Sequence, residues 1–255
     1  MQVHEVAGVP APELRPATLR AAISGWMNRD EEEGRKKRVR QAMTLTHMEM
    51  LKLLLKLNEQ GWSIYKRRLI FTVATMAFWG ALRMGEVLTK TPRKFDELND
   101  LLMEDVRVRR ARVGSEEVTF LAVRLKSTKA CRQLEKGLEI EIYEIGGALC
   151  PVKAWKRYRG MVPEDEGGYP AFRQESGLAY SHNMMNRDLK ELFDGRVDYG
   201  AVSGHSFRIG IATLLAECGY TDEGKGAVVD MPGDRIISCT SYFRRSRDPG
   251  HRQVV

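Results

Sequence analysis

The stretch VTFLAVRL, residues 118–125, decides the fold class. It is rich in β-branched and aromatic residues and follows a turn that contains Gly114, so it predicts a strand. Alternating runs flank it on both sides, at residues 106–108 and at residues 138–142. Because the three strands follow one another with short connections, they predict a small antiparallel sheet.

Helical patterns surround this sheet in the sequence. Before it, apolar residues recur at helical spacing after Thr44, and a largely buried helix is predicted over residues 65–82, ending near Gly85. After it, Pro151 suits the first position of a helix. Three later helices are predicted over residues 181–194, 205–218 and 236–246. The fold class is therefore α+β, mostly helical, with one small three-stranded antiparallel sheet.

The first 41 residues differ in character from the rest of the chain. They contain three prolines, at positions 10, 12 and 16, and then place the acidic run 30–33 next to the basic run 35–38, a pattern typical of a solvated linker. We therefore predict an N-terminal segment or linker over residues 1–41 and one folded domain over residues 42–255.

The charge of the chain is unevenly distributed. It has 41 Lys and Arg against 34 Asp and Glu, a net charge of +7, yet the first 34 residues hold more acids than bases. The rest is therefore strongly basic, and a phosphate backbone is its natural partner, although a solvated basic face would look the same. The basic residues that we single out are Arg35, Lys36, Lys37, Arg38, Arg107, Arg109, Arg110, Arg124, Arg132, Arg244 and Arg245.

Several classes of protein are excluded by patterns that the sequence lacks. No run of about 18 apolar residues could span a membrane, and the N-terminus does not look like a signal peptide. The 4 cysteines are scattered without a CxxC pair, which favours an intracellular, reducing location, and the 5 dispersed histidines predict no metal site. Nucleophile-elbow, Walker A and dinucleotide-binding sequences are absent as well.

Two motifs contain arginines at places where an anion can bind. Arg83 ends an apolar helix, so its guanidinium must pair either with Glu86, three residues later, or with a phosphate. His205 and Arg208 share one face at the start of another helix, where the N-terminal amides favour an anion. The pattern H-x-x-R also occurs by chance, and a pair with Glu86 alone would satisfy Arg83. Each motif therefore also has a purely structural interpretation.

Two further residue types can carry proton transfer or nucleophilic attack. Lys126 and Lys129 lie between the second and third predicted strands, where a lysine is usually solvated but serves as a proton donor if the hairpin overhangs a substrate. Tyr242 lies beside Arg244 and Arg245. A tyrosine is a nucleophile only where positive charge favours its phenolate, and otherwise it is a packing or surface residue.

Together, the order and spacing of these residues resemble the tyrosine recombinase (phage integrase-like) family, over about residues 43–246. The matching stretches are FWGALRMGEVL, VRLKSTKACRQLEKGLEI, GALCPVKAWKRY, GHSFRIGIATLLAECG and SCTSYFRRS. The stretches LCPVKAW and SGHSFR look most like recombinases encoded by eukaryotic mobile elements. The resemblance implies the mostly helical catalytic fold of that family, with its small sheet.

The resemblance also implies roles for individual residues. The catalytic residues would be Arg83, Lys129, His205, Arg208 and Tyr242. The supporting residues would be Glu86, beside the first arginine, and Lys126, the alternative to Lys129. The implied reaction transfers a DNA phosphodiester to the tyrosine and back through a 3′-phosphotyrosine link, without metal, ATP or another cofactor. Residues 1–41 would be a remnant or a truncation of the core-binding domain that such enzymes carry.

One position departs from the family pattern. The family usually has His or Trp eight or nine residues before the tyrosine, where this chain has Asp234 and Gly233. In the family this His or Trp supplies a hydrogen bond at the reacting phosphate. Here either another group supplies that bond or activity is reduced, so a catalytically impaired DNA-binding protein with the recombinase fold is one alternative. A type IB topoisomerase-like enzyme, which uses a similar set of residues, is the other.

The expected biological role follows from the same resemblance. The chain would bind double-stranded DNA, would not bind a membrane, and would act in site-specific recombination or integration of a mobile element. It would work as a homotetramer on DNA, with a monomer in solution left open. Its location would be the nucleus or the cytoplasm.

Overall fold

The computed structural model describes residues 42–113, 115–126, 138–163, 168–194, 203–217, 228–231 and 235–238. All of them belong to one unit, Arg40–Val255. The division predicted at residue 42 stays a prediction, because residues 1–41 lie outside the described ranges. Among the helices that the described residues form, none combines the length and the apolar character needed to cross a membrane.

Helices and strands occur in the order helices, sheet, helices, small sheet. The helices of the described residues are α1 Leu45–Leu57, α2 Ile64–Trp79, α3 Met84–Val87, α4 Pro151–Arg159, α5 His182–Phe193 and α6 Gly204–Glu217. The strands are β1 Val106–Val113, β2 Glu116–Leu125, β3 Leu138–Tyr143, β4 Val228–Met231 and β5 Arg235–Ser238. A 3₁₀ turn at Met103–Asp105 leads into β1.

The larger sheet confirms the predicted three strands and the α+β class. Its order is β1-β2-β3, and both pairs are antiparallel. In its middle Val123 lies between Val106 and Ile140, and all three side chains are buried. Alternate positions of the three strands therefore contribute one side of the hydrophobic core.

Helix α2 is the centre of that core. From Leu69 to Trp79 every side chain except Phe71 is buried, as expected for a helix that is apolar on all sides. Its neighbours include α1, α4 and α6, and the Thr72 hydroxyl donates to the Ala154 carbonyl of α4 at 3.1 Å. Helix α2 therefore supports both the helix α6, which carries His205 and Arg208, and the segment with Arg83, which follows α2 in the chain.

Helix α2 ends earlier than predicted, at Trp79 instead of near Gly85. The reason is a Schellman motif in which Ala81 adopts a left-handed φ of 50°. The amides of Ala81 and Leu82 donate to carbonyls three and five residues earlier, at 3.1 and 3.0 Å. The chain therefore leaves the helix at this point, and Arg83 follows in an extended conformation.

The glycine of this motif lies one position before the left-handed residue because packing requires it there. The φ of Gly80 is −86°, which any residue adopts. A Cβ at this position, however, would lie 2.7 Å from Ile142 Cδ1 and 2.8 Å from the Met76 carbonyl oxygen. Only glycine lets the end of α2 lie so close to β3, and Ala81 takes the left-handed conformation at a cost of about 1 kcal/mol.

The other helices begin close to the predicted positions, with one exception. Helix α1 starts after Thr44, whose side chain caps it, and α4 starts at Pro151. The helix predicted over residues 236–246 is wrong in its described part, because β5 pairs there with β4 in a second antiparallel sheet. Val229 pairs with Ile237, and β-branched residues favour strands. Residues 239–246 lie outside the described ranges.

Candidate functional site

The first half of the site is built around Arg83, directly after the Schellman motif. A single carboxylate holds it: Glu86 accepts the Arg83 backbone amide at 2.8 Å and its Nη1 at 2.9 Å. The carboxylate side chain is 4% exposed and the arginine side chain 34% exposed. The ion pair suggested by the spacing is therefore present, and the guanidinium still reaches the surface with further N–H donors.

The second half of the site is the start of helix α6. His205 is exposed and Arg208 is half-buried, and they lie three residues apart on one side of the helix. The backbone amide of Gly204 donates to Asn186 Oδ1 of α5 at 2.8 Å. This bond fixes the N-terminus of α6 relative to α5 and so fixes the base of the two candidate side chains.

A close contact between the Gly204 backbone and the Met84 side chain joins the two halves. Gly204 is buried, and a Cβ added to it would overlap the Cβ and Cγ atoms of Met84. Met84 directly follows Arg83, and Gly204 directly precedes His205. The fold therefore brings the segment of the first arginine against the start of the helix with the H-x-x-R pattern.

A second close contact holds α6 further along its length. A Cβ at Gly210 would overlap the Met43 backbone, so this face of α6 touches the main chain before α1. The Met43 amide also donates to the Ser206 carbonyl at 2.9 Å. Helix α6 is thus fixed on both sides of Arg208, which limits how far the guanidinium of that residue can be displaced.

Lys126, the alternative proton donor, lies in a network of its own. Its Nζ is 3.1 Å from Asp105 Oδ2 and donates to the Glu97 carbonyl at 2.7 Å. The Asp105 carboxylate is fully buried and also binds Arg124 at 2.8 Å. Because a buried carboxylate needs such partners, Lys126 has a structural task at the end of β2. Lys129 lies outside the described residues.

The sheet arginines do not form one continuous basic face. Arg107, Arg109 and Arg110 are all exposed. Because side chains alternate along a strand, the first two lie on one face of β1 and Arg110 lies on the other. Arg109 also pairs with Glu139 Oε1 at 3.1 Å. These three arginines therefore cannot all lie on a single surface of the sheet that faces DNA.

The remaining predicted residues lie outside the described residues, and their roles stay predictions. The catalytic residues among them are Lys129 and Tyr242, and the two positions that depart from the family pattern are Gly233 and Asp234. The basic residues among them are Arg35, Lys36, Lys37, Arg38, Arg132, Arg244 and Arg245.

Two residues that organise the site were not identified from the sequence. Asn186 gave no signal, because an amide in the middle of a helical pattern is usually solvated. Asp105 gave a weak one: it directly precedes β1, and two cations, Arg124 in β2 and Lys126 directly after it, lie two positions apart in the sequence. Among the described residues, no group of three or more His, Cys, Asp or Glu could hold a metal ion.

The chain is similar to a solved structure at low sequence identity. No family model matches the sequence, and no curated protein matches it. Among solved structures, the chain is similar to one described as "Crystal structure of XerH site-specific recombinase bound to difH substrate: pre-cleavage complex". The two chains are 15% identical, with a TM-score of 0.40. The similarity covers 84% of this chain and 58% of that chain, so this chain spans less than two thirds of its length.

Proposed function

We propose that this chain cleaves and rejoins double-stranded DNA through a covalent 3′-phosphotyrosine intermediate. The observation that carries the proposal is the contact between Gly204 and Met84, which joins the Arg83 segment to the start of α6. Two guanidinium groups and an imidazole, on elements fixed against each other, suit a phosphodiester that gains negative charge during the reaction.

Each candidate residue has a defined task in the proposed reaction. Arg83 and Arg208 neutralise the non-bridging oxygens, and His205 hydrogen-bonds one of them. The Tyr242 oxygen attacks phosphorus and passes its proton to His205 or to solvent as the bond to the 5′ oxygen breaks, and Lys129 gives the leaving 5′ oxygen a proton. The reverse attack by a 5′ hydroxyl restores the phosphodiester and the tyrosine. The phosphotyrosine link retains the energy of the broken bond, so the cycle consumes no nucleotide.

The wider role that we propose is site-specific recombination or integration of a mobile element. Under this proposal a homotetramer assembles on DNA, and the chain acts in the nucleus or the cytoplasm. The subgroup of eukaryotic mobile-element recombinases belongs to the proposal too, and it is supported by the stretches around Cys150 and Gly204.

The test is formation of a covalent adduct. A pool of nicked duplexes of random sequence is incubated with the protein, and DNA that stays bound on a denaturing gel is collected and sequenced. We expect an adduct with the wild type and none with Tyr242→Phe. The matched control is Tyr169→Phe, since the side chain of Tyr169 is 51% exposed and lies outside the proposed site. Arg83→Ala and Arg208→Ala should each slow adduct formation roughly 100-fold or more.

Each other result contradicts a defined part of the proposal. An adduct that persists in Tyr242→Phe would mean that another residue is the nucleophile. Near-normal rates in either arginine variant would remove those residues from the mechanism. A wild-type protein that binds DNA and never forms the adduct would be a DNA-binding protein, and one that relaxes supercoils without exchanging strands would be a topoisomerase.

A further inference from the structure

An open groove lies between the segment at residues 91–94 and helix α5, and apolar side chains of Pro92, Leu178 and Met184 form much of its lining beside charged ones. Three of its lining residues are cations: Arg93, Lys94 and Arg187. Thr91 and Gln174 add polar groups, and none of the described residues that line it is acidic. None of the three cations belongs to the basic clusters singled out from the sequence.

The two walls of the groove are fixed to each other. Thr89 forms a parallel bridge with Ser181, and the His182 amide donates to the Thr89 carbonyl at 3.0 Å. The Thr89 hydroxyl in turn donates to the Thr91 carbonyl at 3.2 Å. The segment that carries Arg93 is therefore held against the N-terminus of α5, so the groove does not depend on a loose loop.

Arg187 is anchored and still accessible. Its Nη2 lies 3.4 Å from Asp188 Oδ1, and its side chain is 66% exposed. The Asp188 carboxylate is fully buried and has two closer partners, Lys66 at 3.2 Å and the Tyr180 hydroxyl at 2.7 Å. Burial raises the pKa of Tyr180 well above its ordinary value, so this hydroxyl remains a donor. The carboxylate is thus compensated without Arg187, whose positive charge faces the groove.

The groove lies close to the candidate site. Arg187 directly follows Asn186, whose side chain accepts the Gly204 amide at the start of α6. The segment that carries Arg93 follows Thr89, which comes two residues after the end of α3, the helix that begins beside Arg83. Both sides of the groove are therefore connected through a few residues to the elements of the proposed cleavage site.

We infer that this groove binds the phosphate backbone of the DNA duplex that flanks the cleaved phosphate. The inference rests on the proposed function, and it adds a contact that fixes the register of the DNA without reading its bases. Three cations on two walls, close to another proposed anion site, match a repeating polyanion better than a single small anion.

The experiment compares two charge-reversal variants of equal charge. Arg93→Glu with Lys94→Glu alters the groove, and Lys153→Glu with Lys156→Glu alters exposed positions of α4. Binding to a long DNA duplex is measured by fluorescence anisotropy between about 50 and 200 mM salt. We expect the groove variant to lose roughly tenfold or more in affinity at low salt, and its log–log salt slope to fall by about 2, one per lost phosphate contact. The α4 variant should stay within about twofold of the wild type, as expected for charges outside the interface.

Duplex length locates the contact along the DNA. The adduct maps the cleavage point. On a shorter duplex that ends at this point, the groove variant should bind with the same affinity as the wild type, because the flanking phosphates that the groove would contact are absent. Arg187→Gln should show a smaller loss on the long duplex and none on the short one. The thermal midpoints of all variants are compared to verify folding.

The outcomes separate this inference from the proposed function. Equal binding by the groove variant and the α4 variant would overturn the inference, even if the wild type forms the covalent adduct. Loss of binding to duplex RNA but not to DNA would overturn it as well. If the groove variant loses DNA binding and the wild-type protein forms no adduct, the inference about the groove is supported and the proposed cleavage reaction is rejected.

Discussion

At the scale of single residues, Glu86 decides how Arg83 is presented. Its carboxylate accepts both the backbone amide and the side chain of that arginine, and it is almost completely buried. The pair between Arg109 and Glu139 has a similar distance but is 46% and 39% exposed. The two pairs therefore differ in desolvation, and desolvation decides how much a pair contributes.

Substitution of Glu86→Gln tests this difference. We expect it to lower the free energy of unfolding by about 1–2 kcal/mol, because a charged hydrogen bond to a partly buried guanidinium is lost. The control Glu139→Gln should change it by about 0.5 kcal/mol or less. Urea denaturation of both variants measures the two values, and equal losses would contradict the assigned role of Glu86.

The contact of Gly204 with Met84 gives a second prediction at this scale. Gly204→Ala should lower the free energy of unfolding by about 1–3 kcal/mol, since the new methyl group overlaps Met84 and must displace α6 or α3. It should also slow formation of the covalent adduct. Gly85→Ala is the matched control, because a Cβ there meets no atom within 4 Å. Thermal or urea unfolding of the pair shows whether the difference exists.

At the scale of elements, we expect the stability of the start of α1 to depend on pH. The Thr44 amide donates to His47 Nδ1 at 3.1 Å, and the His47 amide donates to Thr44 Oγ1 at 3.3 Å, a reciprocal cap. Burial lowers the pKa of His47 from its ordinary value. The folded state therefore favours the neutral imidazole, whose Nδ1 can accept.

The sign of the effect follows from the lowered pKa. A group whose folded-state pKa is depressed stabilises the fold above its unfolded-state pKa, and this contribution is lost as the pH falls through the folded-state value. We expect wild type and His47→Gln to be similarly stable at neutral pH. At mildly acidic pH the wild type should become less stable than the variant by roughly 0.5–1 kcal/mol, the usual value of a helix cap. Urea unfolding over this pH range measures the difference, and a constant difference would contradict the cap.

The elements also show what local sequence reasoning can and cannot reach. The three strands were predictable because alternation and β-branched residues are local signals. The end of α2 was not, because the left-handed residue is Ala81 and the glycine before it is needed for packing against Ile142. Because the glycine serves a tertiary contact, it does not occupy the left-handed position, and the usual local signal for the end of the helix is missing. For the same reason, the local pattern predicts a helix where β5 forms, since its partner β4 lies in a part of the chain with weak periodicity.

At the scale of the whole molecule, the candidate site is a product of tertiary structure. Spacing alone predicted that Glu86 would pair with Arg83, and this pair is present. No local rule could predict that Met84 would meet Gly204, because the contact joins segments that are far apart in the sequence. The division of Arg107 and Arg110 between two faces was available from strand alternation and becomes firm only once the register is known.

The separation of the two halves of the site along the chain also has a consequence in time. Ribosomes add about 5–20 residues per second, so α6 follows the Arg83 segment out of the ribosome after roughly ten seconds. During that interval the arginine-bearing strands already exist as polypeptide, while His205 and Arg208 do not. A newly made chain therefore carries its sheet arginines before it carries the start of α6. Under the proposed reaction, the order of translation delays strand cleavage until Tyr242, which follows α6 in the sequence, has been synthesised.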